Sequence, residues 1–213
     1  MKITILCNSE KHPVNFMLAR WIQSYTEQHD IILARSKSEL IGGDILFLVS
    51  CGEIIGSEER DKFQKVLVIH ASDLPKGRGW SPHIWAIIEG ADEITVTLLE
   101  AEDKVDSGHI WKKINVEVPK HALCHEINES LFAAEYELMS FAVEQFQWVK
   151  PAPQPDMAST YYSRREPKDS ELDPEGSIAS QFDLIRVSDP DRFPAFFNMH
   201  GHTYKLTIEK IKK

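Results

Sequence analysis

Val66-Leu67-Val68-Ile69-His70-Ala71-Ser72-Asp73-Leu74-Pro75-Lys76-Gly77-Arg78-Gly79-Trp80-Ser81-Pro82 is the stretch that decides the fold. The apolar β-type run Val66 to Ile69 predicts a buried strand that ends in His70. Pro75, Gly77, Arg78, Gly79 and Pro82 follow, and they can continue neither a strand nor a helix. Pro82 instead suits the first turn of a helix reaching Glu89. A breaker-rich loop after a buried strand is where α/β folds place chemistry.

Outward from this stretch, β-type runs recur at Ile3 to Cys7, Ile31 to Ala34, Ile45 to Val49 and Ile94 to Leu99. Helical patterns lie between or after them, at Val14 to Gln28 and at Ala122 to Trp148. In the latter, Leu123, Ile127, Leu131, Ala134, Leu138, Phe141 and Phe146 mark one apolar face. Strands alternating with helices predict an α/β fold, a Rossmann-like, mostly parallel sheet with helices on both faces. The long helix is expected to close a first domain at residues 1–150. Lys150 to Pro155 then reads as a stiff extended linker. The extension at residues 151–213 holds a polar Tyr/Arg stretch, a short helix around Ser177 to Arg186, and a β-hairpin formed by Phe193 to Phe197 and Thr203 to Ile208.

Composition narrows the function. The 213 residues are 42% hydrophobic and 27% charged, enough for a full core. A net charge of −9 argues against a chain built to hold nucleic acid, which needs clustered Lys and Arg. The three cysteines, Cys7, Cys51 and Cys124, are widely spaced and suggest neither a disulfide framework nor a zinc site, so a reducing cytoplasm is expected. The opening apolar run is too short for a signal peptide, and no run is long enough to cross a membrane, so no membrane partner is expected. His121 and His125 stand four apart at a helix start, but no third ligand lies nearby, and no metal is expected. His200 and His202 read as loop decoration, and Trp80 and Trp85 as aromatics with either a packing or a contact role.

The chemistry centres on His70 and Asp106. An imidazole at a strand end can exchange a proton near neutral pH, and a nearby carboxylate can orient it. Either residue alone has a plain structural reading, His70 as a hydrogen-bonded side chain and Asp106-Ser107-Gly108 as a turn. The ordered set H-x-S-x-L-P, G-R-G-x-x-P, W-A-I and D-S-G-x-I raises the functional reading above it.

Those motifs resemble the folate-dependent N-formyltransferases, whose pattern runs N-x-H-x-S-L-L-P, R-G-x-x-P, W-A-I-x-x-G, T-G-V-T and D-x-G-x-I. The chain keeps His70, Ser72, Leu74, Pro75, Arg78, Gly79, Pro82, Trp85, Ala86, Ile87, Gly90, Thr95, Val96, Thr97, Asp106, Gly108 and Ile110. The resemblance is close from about Ile45 to Ile110 and general before it. It implies transfer of a formyl group from N10-formyltetrahydrofolate to an amine, with His70 moving protons, Asp106 positioning it, and no metal. The folate is expected against Arg78, Gly79, Trp80 and Pro82. Two positions depart from the pattern. Val68 stands where the family has its catalytic asparagine, which leaves His70, Ser72 or a backbone N–H to support the oxyanion. Ile94-Thr95-Val96-Thr97 lacks the glycine of T-G-V-T.

The acceptor is read from the remaining segments. The loop Cys7-Asn8-Ser9-Glu10-Lys11-His12 lacks the glycines that suit the ribose phosphate of the purine-pathway enzyme. The tail is similar to that of sugar-nucleotide N-formyltransferases. By that resemblance Tyr161 or Tyr162 stacks on the base, and Arg164, Arg165 and Arg186 pair with the diphosphate. The wording of the His70 stretch is most similar to the branch acting on a UDP-linked 4-amino-4,6-dideoxy sugar in pseudaminic acid synthesis, a route to surface or flagellin glycans. A homodimer through the C-terminal region is expected from exposed strand edges. Two alternatives stay open: a non-catalytic or weakly active binding protein that lost the asparagine, and an enzyme of the methionyl-tRNA formyltransferase type.

Overall fold

The computed structural model describes residues 1–211. Its centre is a six-stranded sheet of β1 (Lys2–Leu6), β2 (Asp30–Ala34), β3 (Gly43–Leu48), β4 (Phe63–His70), β6 (Glu93–Glu100) and β7 (Ile110–Glu117), ordered β2-β1-β3-β4-β6-β7. The first four strands are parallel, β6 runs antiparallel to β4, and β7 runs antiparallel to β6. β1 is buried along nearly its whole length, as expected for an inner strand covered on both faces. The sheet is the mostly parallel, Rossmann-like one expected from the alternating runs.

One face carries the main core. Ile3, Ile5, Phe47, Leu67, Val96 and Leu98 meet Val14, Leu18 and Trp21 of α1 (Val14–Tyr25) and Leu131, Leu138 and Met139 of α4 (Cys124–Glu144). Each large apolar side chain buried this way contributes about 1.5–3 kcal/mol. The indole N–H of buried Trp21 donates to Ser140 Oγ at 3.1 Å, so the two helices are joined without an orphaned donor. The opposite face holds a smaller cluster of Leu6, Ala34, Leu40, Leu46, Leu48, Ile55, Phe63 and Val66. It is covered by the β2–β3 and β3–β4 connections, the latter with the one-turn helix α2 (Ser57–Arg60).

After β4 the chain makes β5 (Arg78–Gly79) and α3 (Pro82–Ile88), with Pro82 in the first turn. Beyond α4, the segment that reads as a linker returns to the body. Ala152 pairs with Ile110, and β8 (Tyr161–Tyr162) pairs in parallel with β5. α5 (Ile178–Val187) follows, and the chain ends in the antiparallel hairpin of β9 (Ala195–Met199) and β10 (His202–Leu206). The sequence reading did not include β7, whose apolar residues at the sheet edge are interrupted by the adjacent pair Lys112 and Lys113, or the two-residue β5–β8 pair. Among the described residues no helix is long and apolar enough to cross a membrane, and no group of three His, Cys, Asp or Glu could hold a metal ion.

Candidate active site

His70 ends β4 at the carboxyl edge of the sheet and is 7% exposed. Its Nε2 lies 2.8 Å from the Gly77 carbonyl. A carbonyl only accepts, so Nε2 carries its hydrogen. Nδ1, the ring nitrogen left to exchange a proton, lies 3.6 Å from Asp106 Oδ1. The two residues that the sequence pairs across thirty-six positions are therefore neighbours in the fold.

Several local constraints place the carboxylate. Asp106 sits between β6 and β7 at φ +55°, in the left-handed region. Asp tolerates that conformation better than most residues because its short side chain bonds nearby backbone. Here Oδ2 accepts the Gly79 N–H at 2.9 Å, which ties the carboxylate to the loop after His70. Two residues on, Gly108 runs so close to β6 that a Cβ there would lie 1.9 Å from the Glu100 carbonyl. Gly79 is likewise required: it has φ +97°, and a Cβ would lie 2.4 Å from the Tyr162 carbonyl.

The loop from Ala71 to Ser81 is held from several sides. Thr97, opposite His70 in the β4–β6 register, donates from Oγ1 to the Ser72 carbonyl at 2.7 Å. Lys113 Nζ donates to the Leu74 carbonyl at 2.9 Å, and Gly77 N–H to Thr160 Oγ1 at 2.8 Å. The Leu74–Pro75 peptide is cis. Ser72 Oγ is buried and has no hydrogen-bond partner, so a free hydroxyl lies within the loop that follows His70.

Val68 pairs with Leu48 and Leu99 and packs against the smaller apolar cluster with Cys51 and Ala101. Along a strand, residues two apart share a face, so Val68 and His70 lie on the same side of β4. The position of the family's asparagine is thus part of an apolar wall. This wall was not among the sequence expectations, because Cys51 and Ala101 reach Val68 of β4 from two separate connections, β3–β4 and β6–β7.

The residues expected to hold ligands fall into distinct groups. Arg78 is buried, donates from Nη2 to Gln154 Oε1 at 2.7 Å and from Nη1 to Tyr161 Oη at 3.3 Å, and so serves the inside of the fold. Pro82 is buried at the start of α3. Trp80 is 41% exposed, with Arg164 4.9 Å above its ring. Tyr162 stacks on Trp85 at 6.2 Å and donates to Glu89 at 2.6 Å; burial and that carboxylate push its hydroxyl up to about 12. Tyr161 is 57% exposed, and its hydroxyl is lowered by the bond from Arg78. Arg165 bonds Ser170 Oγ and lies 6.0 Å over Trp85. Arg186 is 1% exposed, pairs with Asp183 at 2.6 Å and donates to the Pro119 and Ala122 carbonyls before α4. Tyr161, Trp80 and Arg164 thus face outward near the loop, whereas Arg186 and Tyr162 have partners inside the protein.

One residue of this region is absent from the sequence reading. Gln154 donates from Nε2 to the Asp106 and Gly108 carbonyls at 2.8 and 3.1 Å, and its Oε1 accepts from Arg78. It is hidden in a proline-rich run, and the only sequence signal is its flanking prolines, Pro153 and Pro155, which stiffen its backbone.

Known proteins resemble this chain in sequence and in fold. A methionyl-tRNA formyltransferase of Protochlamydia amoebophila is 29% identical over 175 residues, 79% of this chain and 54% of the relative. The chain therefore spans about half the length of that curated relative. Among solved structures, methionyl-tRNA formyltransferase from Clostridium thermocellum superposes with a TM-score of 0.85 at 20% identity, covering 100% of this chain and 94% of the other. HypX from Aquifex aeolicus in complex with tetrahydrofolic acid gives 0.82 at 23%, covering 98% and 37%. A sugar N-formyltransferase from a Shewanella species gives 0.75 at 16%, covering 100% and 99%. At these identities the structural likenesses establish the fold. The formyl transferase family model matches residues 7–143, from the end of β1 through nearly all of α4 and including His70 and Asp106, and the chain belongs to that family.

Proposed function

We propose that this chain transfers the formyl group of N10-formyltetrahydrofolate to the amino group of a nucleotide-linked 4-amino-4,6-dideoxy sugar, UDP-linked and of the pseudaminic acid type. The observation that carries the reading is His70 Nδ1 facing the Asp106 carboxylate at 3.6 Å beside an apolar wall. Val68, Cys51 and Ala101 suit a flat ring system such as a pterin, and HypX, of similar fold, was solved with tetrahydrofolic acid. In this reading residues 1–150 hold the donor and the catalytic pair, while residues 151–213 meet the acceptor through Tyr161, Arg164 and Arg165.

The chemistry follows from the groups at hand. The acceptor nitrogen attacks the formyl carbon, a C–N bond forms, and the carbonyl electron pair moves to oxygen. His70 takes the proton released by the attacking nitrogen. The bond from carbon to the folate nitrogen then breaks, that nitrogen gains a proton, and the products are the formamide and tetrahydrofolate. Asp106 orients His70 and stabilises the imidazolium it becomes. Ser72 Oγ, buried and unpartnered, is the side-chain donor available to the oxyanion in place of the asparagine.

Two copies pairing through the β9–β10 hairpin, where Phe197 stacks on half-exposed Tyr204, belong to the same proposal and are tested by solution mass. The 29% identity to a methionyl-tRNA formyltransferase supports a second reading, with tRNA as acceptor. The net charge of −9 argues against it. Incubation with formyl-folate and both acceptors separates the two: the first reading requires a sugar nucleotide to gain one formyl unit while charged initiator tRNA does not.

A further inference from the structure

Arg78 carries its charge into the fold, where it is 7% exposed, and its side-chain bonds go to neutral groups. One is the Gln154 amide oxygen and the other the Tyr161 hydroxyl, while Nε is buried without a partner. A buried cation is costly unless it is hydrogen-bonded, so each of these bonds constrains where the guanidinium can lie. The group is planar and its N–H donors form a rigid fork, so movement at one end is felt at the other.

The two ends of that fork lead in different directions. Nη2 donates to Gln154 Oε1 at 2.7 Å, and the same amide donates from Nε2 to the Asp106 and Gly108 carbonyls at 2.8 and 3.1 Å. Nη1 donates to Tyr161 Oη at 3.3 Å, with the guanidinium carbon 5.9 Å from the centre of the ring. The backbone sets this pair in place. Arg78 and Tyr161 are register partners in the β5–β8 ladder, and the Arg78 N–H donates to the Thr160 carbonyl at 2.9 Å. A continuous chain of bonds therefore runs from a phenol on the surface to the left-handed turn whose carboxylate lies 3.6 Å from His70 Nδ1.

The outer end of the chain is suited to a ligand. A guanidinium only donates, so the Tyr161 oxygen accepts, and its own O–H is left to donate from a side chain that is 57% exposed. Accepting from a cation makes that O–H a stronger donor. We propose that Tyr161, Arg78 and Gln154 form a relay by which the bound acceptor steadies the Asp106 carboxylate beside His70, with Tyr161 and Arg78 as positioning residues. This rests on the reading above in which Tyr161 meets the acceptor. An acceptor oxygen that takes the Tyr161 hydrogen strengthens the bond from Arg78, and the rigid fork passes the constraint to Gln154 and the 106–108 turn. The catalytic pair is then held most firmly when the acceptor is in place, which ties proton transfer to the presence of the right substrate.

Steady-state kinetics of the whole chain with formyl-folate and a sugar nucleotide test the relay through a double-mutant cycle. Tyr161→Phe removes only a surface hydroxyl, and thermal melts check that each variant is folded. At saturating acceptor Tyr161→Phe should lower kcat by about 2- to 30-fold. Combined with Gln154→Leu it should be no slower than Gln154→Leu alone, because one relay is broken once. A raised KM with unaltered kcat overturns the proposal and leaves Tyr161 as a binding contact, with the acceptor reading intact. Losses that multiply in the double variant overturn it as well, since independent groups add in free energy. If the wild type formylates no sugar nucleotide, the acceptor reading falls and nitrogen NMR of the His70 imidazole decides the relay without any acceptor. Tyr161→Phe and Gln154→Leu should then move the His70 Nδ1 signal in the same direction, and a signal unmoved by Tyr161→Phe overturns the link.

Discussion

The side-chain amide of Gln154 donates to the main-chain carbonyl of Asp106 at 2.8 Å, so a residue from the segment after α4 holds the left-handed turn that presents a carboxylate to His70. The same amide group accepts from Arg78, which joins the 106–108 turn to the loop after β4. Replacing Gln154 with Leu frees the turn without altering His70 or Asp106. Misplacing a catalytic group by about 1 Å costs on the order of 100-fold in rate. Gln154→Leu is expected to lower kcat by about 10- to 100-fold with little change in the KM for the formyl donor; equal kcat in variant and wild type would remove the positioning role.

His70→Asn should abolish most formyl transfer while leaving the fold intact, because the side chain ends a strand and makes one backbone bond, to Gly77. General base catalysis contributes about 10²- to 10⁴-fold, and a loss in that range is expected in single-turnover assays. Asp106→Asn should give a smaller kcat loss, since the amide oxygen of asparagine can still accept from the Gly79 N–H.

Ser72 and Val68 form a linked test. Removing an oxyanion donor typically lowers kcat by about 10²- to 10³-fold, so Ser72→Ala is expected to fall in that range. Adding Val68→Asn to that variant supplies a donor two residues before His70 and should recover part of the rate. A Ser72→Ala enzyme as fast as the wild type would point instead to a backbone N–H or to His70 itself.

Much of this arrangement can be read in the chain alone, for physical reasons. Ile3 to Cys7 and Ile45 to Val49 are buried throughout and Val66 to Ile69 are buried or half-buried, and that burial writes itself as continuous apolar runs. His70, Arg78, Gly79, Asp106 and Gly108 stand out because breakers and tight approaches such as Gly108 against Glu100 restrict which residues fit. The groups drawn from separate segments are not legible. Gln154 acts through side-chain bonds to residues nearly fifty positions away. The diphosphate role expected of Arg186 cannot be weighed from sequence either, because nothing local marks it as buried beneath α4.

Glu135, 7% exposed on α4, makes a separate prediction about stability. Burial pushes its carboxyl up to about 8, from 4.5 for the free group, and Oε2 has no partner. Between these values the folded state keeps a proton that the unfolded chain has lost, so stability falls as pH rises from about 4.5 to 8. By pH 7 the loss is about 3 kcal/mol. Glu135→Gln should therefore melt higher than the wild type at pH 7.5 and close to it at pH 4.5; a constant difference between the two across that range would contradict the buried neutral carboxyl.

In the proposed reaction the His70–Asp106 pair moves a formyl group onto a sugar nucleotide. The direct measurement is mass spectrometry of UDP- and dTDP-linked 4-amino-4,6-dideoxy sugars after incubation with the chain and N10-formyltetrahydrofolate. A UDP-linked sugar should gain one formyl unit, with tetrahydrofolate released in equal amount, and His70→Asn should suppress both. Unchanged sugars throughout the panel, or formylation that survives His70→Asn undiminished, would contradict it.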